Sequence, residues 1–161
     1  MAWVSCDPGS KGALVVWHGE QPVGVCRLKS VSHANGIVLA DFPREISFAV
    51  IEDVHSILGD GLASAFTFGF NVGVLIQFLR ERTATIHKVA PYKWQHLAHR
   101  GLPKKMDTKQ RSLVVAQKLF PEFLEKMDVK ENEDGIHDAL CLGFYWLVQM
   151  VEGECNGLQT T

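Results

Sequence analysis

The chain has 161 residues, a formal net charge of −2 and 47% hydrophobic residues. That length suits one domain with a full core, and the composition excludes a chain that is disordered over most of its length. Four far-apart cysteines, Cys6, Cys26, Cys141 and Cys155, form no CxxC pair, which argues against a zinc ribbon. Three of them lie in apolar segments and read as reduced core residues; Cys155 falls in a polar tail.

Residues 2–6 read as a strand that runs straight on from Met1 with no basic leader, so no signal peptide is expected. The turn Asp7-Pro8-Gly9-Ser10-Lys11-Gly12 breaks it. Residues 13–17 form a second strand, His18-Gly19-Glu20-Gln21-Pro22 a turn, and residues 23–28 a third strand, giving an antiparallel meander. A short helix is expected at 37–42. Phe48-Ala49-Val50-Ile51 is a continuous apolar run, the pattern of a central strand buried on both faces. A glycine-bearing loop over 55–61 leads to a long apolar helix at 62–82, with Phe66, Phe70, Gly73 and Gln77 in one row and Gly69, Val72, Ile76 and Leu79 in another. This stretch carries Ser64, Thr67, Asn71, Gln77 and two glycines, too polar and too short for a membrane span, so a soluble protein inside the cell is expected. A strand at 85–89 follows, parallel to that at 48–52 through a right-handed crossover. Pro91 opens a helix at 92–99, and Asp107 is placed to cap a helix at 108–119. A short helix at 121–127, a polar linker at 128–133 and a last helix at 135–151 complete the chain. The expected fold class is α/β, a mixed sheet flanked by helices, with one domain over 1–152 and a frayed tail over 153–161.

Charge is unevenly distributed. From Lys88 to Arg111 there are seven Lys or Arg (Lys88, Lys93, Arg100, Lys104, Lys105, Lys109, Arg111) and one acid, Asp107, a net +6 against an overall −2, so the rest of the chain carries −8. A local basic strip on an acidic body fits a polyanion, although such a strip is also commonly a solvated face. Three acidic stations lie at the edges of apolar runs: Asp7, Glu52, and Asp134 with Asp138. Asp134 and Asp138 stand at i and i+4 and share one helical face. Carboxylates gathered from separate elements repel one another unless a cation joins them. Their hard oxygens suit Mg²⁺ or Mn²⁺, and two such ions drive in-line attack on a phosphodiester. A metal-dependent nuclease is the leading expectation. Three of these acids also have a plainer use: Asp7 as a turn former, Asp134 and Asp138 as helix-start acids.

In order and spacing these stations resemble the RuvC-type Holliday-junction resolvases of the ribonuclease-H-like superfamily, especially phage-like members, over residues 2–147. Asp7-Pro8-Gly9 looks like the first station and Ile51-Glu52 the second. Phe66-Thr67-Phe68-Gly69-Phe70-Asn71-Val72-Gly73 looks like the family's helix with two spaced glycines. Val89-Ala90-Pro91-Tyr92-Lys93-Trp94-Gln95 looks like its strand-to-helix junction. Lys109-Gln110 is similar to a basic position opening the next helix, and Asp138-Ala139-Leu140 to the closing metal station. The resemblance implies a five-stranded mixed sheet and a homodimer that nicks a four-way DNA junction symmetrically. It implies Mg²⁺, with Mn²⁺ as substitute, on Asp7, Glu52, Asp134 and Asp138. It also implies Lys109 at the phosphate, with DNA contacts drawn from Lys93, Arg100, Lys104, Lys105, Lys109, Arg111, Phe68 and Phe70, and a cytoplasmic setting in a bacterium or phage-infected cell, an organelle remaining open. Of Phe66, Phe68 and Phe70, at least one is expected in the core.

Two departures stand out. The family often has Asp or His three residues before its final Asp; Gly135 stands there, with Asp134 and His137 as candidates. Asp134 is preferred because His137 points about 100° away from Asp138. Gln95 holds the place of a family lysine, so Lys109 is a safer phosphate contact than Lys93. Three other functions compete: a related nuclease on RNA or other branched DNA, a junction-binding protein without catalysis, and a phosphate hairpin of the actin and sugar-kinase type at residues 7–12.

Overall fold

The structure is a computed structural model that describes residues 1–9, 11–28, 42–54 and 61–157, with side chains to Gly153. In chain order it contains β1 (Ala2–Asp7), β2 (Ala13–His18), β3 (Gln21–Arg27), β4 (Ala49–Glu52), α1 (Leu62–Arg80), β5 (Ile86–Val89), α2 (Pro91–Ala98), α3 (Thr108–Leu119), α4 (Pro121–Lys126) and α5 (Asp134–Gly157). The five strands form one sheet in the order β3-β2-β1-β4-β5. β1 pairs antiparallel with β2 and β2 with β3, whereas β4 runs parallel to β1 and to β5. The expected meander and the parallel crossover are both present. The helix expected at 37–42 and the loop at 55–60 fall outside the described residues, apart from Phe42, which is not helical.

The sheet is buried on both faces, so its strands alternate between two cores. Trp3, Val15, Trp17 and Val50 face α2, α3, α4 and α5. Val4, Cys6, Leu14, Ala49 and Ile51 face α1 with Leu28, Phe42 and Ile46. α1 is anchored through its C-terminal half, where Leu75, Phe78 and Leu79 are buried. Its N-terminal half projects, with Leu62 92%, Phe66 76% and Phe70 49% exposed. Length and composition alone would let α1 cross a membrane, with 17% of its apolar window buried here. Phe68 is half-buried, so contrary to expectation none of Phe66, Phe68 and Phe70 enters the core. The helix meets the sheet only near its C-terminal end, and Phe78 takes that role.

α5 lies closest to the sheet. A Cβ on Gly143 would sit 2.2 Å from the Trp17 indole, so only glycine admits the ring there. Trp17 Nε1 donates to Ser5 Oγ (2.8 Å), which donates to the Ala139 carbonyl (2.6 Å). This buried chain fixes the first turns of α5 against β1. Arg27 forks onto Glu133 with Nε at 2.6 Å and Nη2 at 3.0 Å, holding the segment just before α5 to β3. The backbone of α5 stays helical through Gly157, past residue 151 where the sequence pattern ends it. Cys6 and Cys141 are buried and Cys26 is half-buried. Asp107 caps α3 as expected, accepting from the Lys109 N–H at 2.8 Å.

Candidate active site

Asp7 and Glu52 end neighbouring parallel strands. Cys6 pairs with Ile51, so the next residues stand side by side at the C-terminal edge of the sheet. Trp3 and Val50 face α5, and alternation sends Asp7 and Glu52 to that same side. The Gly9 N–H donates to Asp7 Oδ1 at 2.9 Å and closes the turn beneath it. Trp94 Nε1, buried on α2, donates to Glu52 Oε1 at 2.9 Å. Asp53 turns the other way and pairs with Lys88 at 3.7 Å, as a structural acid.

The start of α5 supplies the other two acids. Gly12 bridges Gly135, and a Cβ on Gly135 would lie 2.3 Å from the Lys11 carbonyl oxygen and 3.0 Å from Asp7 Oδ2. The helix therefore presses its first turn onto the β1–β2 turn, which is why no larger residue stands at 135. Asp134 and Asp138 flank that contact. Lys109, early in α3, reaches Asp134 Oδ2 with its Nζ at 2.9 Å. His137 is buried on another face of α5 and lines a cleft of about 350 Å³ with Leu113, Gln117 and Leu124.

The acids feel one another. Burial pushes the Glu52 carboxyl up to about 7; the Asp7 charge adds to this, the Trp94 hydrogen bond opposes it, and Asp138 raises it further. Burial likewise pushes Asp138 up to about 7. Hydrogen bonding from the Ser112 side chain opposes that, Asp7 and Asp134 reinforce it, and Lys109 opposes it. Asp7 is raised by burial, against the Gly9 N–H and Lys109 and with Asp134. The Lys109 ammonium is held protonated chiefly by its bond to Asp134.

Among the described residues no three His, Cys, Asp or Glu side chains are drawn together tightly enough to hold an ion between them. The donor chemistry nevertheless fits a hard divalent cation. Four carboxylates share one electrostatic neighbourhood, and Asp138 Oδ1 is buried without a hydrogen-bond partner.

At the sequence level no family model and no curated protein matches the chain. In three dimensions it is similar to Thermus thermophilus RuvC, at a TM-score of 0.50 and 12% identity, over 93% of this chain and 96% of that one. The same figures describe its likeness to T. thermophilus RuvC in complex with a Holliday junction substrate. The fold is RuvC-like.

On this RuvC-like fold Lys93, Arg100, Lys104, Lys105 and Lys109 are exposed along α2, the following loop and the start of α3. Arg111 differs from the expected open contact: it is half-buried, with its Nε shielded and lacking a hydrogen-bond partner. Phe66, not Phe68, is the most exposed of the three α1 aromatics with Phe70 next. The sequence reading passed over Ser5, Trp94, Ser112 and His99 as site-supporting residues. The available signal was a polar residue in an otherwise inward row: Ser5 within a buried strand, and Ser112 beside Val115 and Ala116 on α3.

Proposed function

We propose that this chain is a divalent-cation-dependent endonuclease that resolves four-way DNA junctions by paired symmetric nicks. The observation that carries the reading is the convergence of Asp7, Glu52, Asp134 and Asp138 from β1, β4 and α5 in a fold shared with RuvC, which has been solved with a Holliday junction substrate. Asp7, Glu52, Asp134 and Asp138 would hold Mg²⁺ or Mn²⁺. When bound, such ions supply Lewis acidity and neutralise charge at the reacting phosphate.

The chain's own residues then divide the remaining work. Asp7 and Glu52, fixed at the ends of two paired strands, present a rigid edge to the scissile phosphate. Lys109 exchanges Asp134 for a phosphate oxygen and stabilises its charge. Arg100, Lys104 and Lys105 hold the DNA backbone, which orients the substrate without reading its sequence. Phe68 or Phe70 offers an apolar ring to an opened base step. A homodimer provides the two sites that symmetric nicking needs, and the projecting Phe66 with the open surface at Gly73 on α1 supports such a pairing. A soluble cytoplasmic setting accords with this substrate.

The test is cleavage of a labelled four-way junction beside a matching linear duplex, in Mg²⁺ and in EDTA, with Asp7→Asn as control. Paired nicks in the junction alone, lost in EDTA and in the variant, are expected. An intact junction alongside cleaved RNA or another branched DNA would overturn the substrate. Binding without cleavage of any nucleic acid would overturn catalysis.

A further inference from the structure

We propose that Trp94 is a positioning residue that engages one oxygen of Glu52 and thereby biases the site towards a small cation such as Mg²⁺ over Ca²⁺. The inference rests on the nuclease reading above.

The chain has four tryptophans, and their indole N–H groups have different fates. Trp3 Nε1 donates to the Gly19 carbonyl and Trp17 Nε1 to Ser5 Oγ, each at 2.8 Å. Trp146 Nε1 is buried without a partner. Trp94 alone gives its N–H to a carboxylate, Glu52 Oε1, at 2.9 Å. An N–H donated to a charged oxygen makes one of the stronger hydrogen bonds.

Both ends of this bond are held. Glu52 pairs with Val89 across the parallel ladder, and the Asp53 N–H donates to the Val89 carbonyl at 2.8 Å. Val89 ends β5, and Pro91 opens α2 directly after it, with Trp94 in the first turn. One strand-to-helix junction therefore fixes the main chain of Glu52 and presents the donor to its side chain. Trp94 itself is 1% exposed. It packs edge to face on His99, with ring centroids 5.5 Å apart, and His99 is tied in turn to Ser112 at 3.0 Å. The indole has no room to swing away.

A cation that takes both Glu52 oxygens must displace the indole and leave a buried N–H unpaired, which is unfavourable. A cation that takes one oxygen can use Oε2 and keep the bond. Mg²⁺ demands near-octahedral geometry at short distances, which the narrow bite of a two-oxygen carboxylate fits poorly; Ca²⁺ accepts carboxylates through one oxygen or two. The Trp94 bond thus favours the smaller ion. Groups that orient a ligand from behind typically contribute about 10- to 100-fold to metal affinity.

The test is a titration of metal-free, ¹⁵N-labelled protein with Mg²⁺ and, separately, with Ca²⁺, read by nuclear magnetic resonance. The Gly9 amide, bonded to Asp7 Oδ1, reports both dissociation constants. Trp94→Phe keeps an aromatic ring and removes the N–H. It is expected to weaken Mg²⁺ binding roughly 10- to 100-fold and to leave Ca²⁺ binding nearly unchanged, so the preference for Mg²⁺ falls by that factor. An unchanged ratio, whether both affinities fall together or neither falls, overturns the proposal. If wild-type binding is present and Asp7→Asn abolishes it, that outcome spares the nuclease reading. If Trp94→Phe does not fold, the wild-type indole resonances decide. The Trp94 N–H is expected to move with Mg²⁺ along the same curve as Gly9, while the Trp3 N–H stays still. A Trp94 resonance that does not move overturns the proposal, and absence of Mg²⁺ binding in the wild type overturns both readings.

Discussion

Lys109 occupies, in this structure, the electrostatic place of a cation beside Asp134. Lys109→Ala is expected to lower junction cleavage by about 100-fold and to change junction affinity little, measured by single-turnover cleavage and by gel shift. Glu52 makes a different prediction. A carboxyl whose folded-state value is raised binds its proton more tightly when folded, so its destabilising effect is absent below the unfolded value and grows as pH rises towards the folded one. With Glu52 and Asp138 pushed up to about 7, the metal-free protein should lose stability as pH rises from about 4 to 7. Glu52→Gln keeps the oxygen that Trp94 bonds and removes the charge. It should melt about 5 °C higher than the wild type at pH 8 without metal, and cut nothing. A lower melting temperature for Glu52→Gln would show that the charge is not strained. The acids were legible in the sequence because a carboxylate that ends an apolar run has no packing reason to be there. Their supports were not, because Trp94 and Glu52 are 42 residues apart and His99 and Ser112 13 apart, and only the packing of α2 and α3 on α5 brings them together.

The elements themselves were largely readable. Alternation and turn residues gave the meander, and Asp107 marked the start of α3. Packing decided what periodicity could not. At least one of the three phenylalanines in the first half of α1 was expected in the core, yet the buried residues of that helix begin at Leu75. Gly135 seemed a departure from the resemblance, an acid or histidine missing from its place. It is instead the price of docking α5 on the β1–β2 turn. Gly135→Ala is expected to destabilise the protein by about 1–3 kcal/mol, from the clash with the Lys11 carbonyl and Gly12, read by urea unfolding. Gly135→Asp should be worse and restore no site. An unchanged unfolding midpoint for Gly135→Ala would refute the close approach.

For the molecule as a whole, the proposed function gives the basic strip and the acidic remainder separate duties. Each phosphate contact contributes to the salt dependence of binding, so Lys104→Ala and Lys105→Ala should each reduce the log–log salt slope by about 1 without changing junction preference. A slope that does not move would mark both as solvated surface. The proposed dimer should sediment at twice 17.9 kDa, and Phe66→Glu, in the exposed row of α1, should sediment as the monomer while the circular dichroism spectrum is retained. The contact between Ser5 and Ala139 spans 134 positions, and Gly12 meets Gly135 across a similar distance. During synthesis, β1 through α4 leave the ribosome before the helix that completes the acid set. Under the proposed function, such a polypeptide is born without its cutting edge and acquires it only when its last helix closes on its first turn.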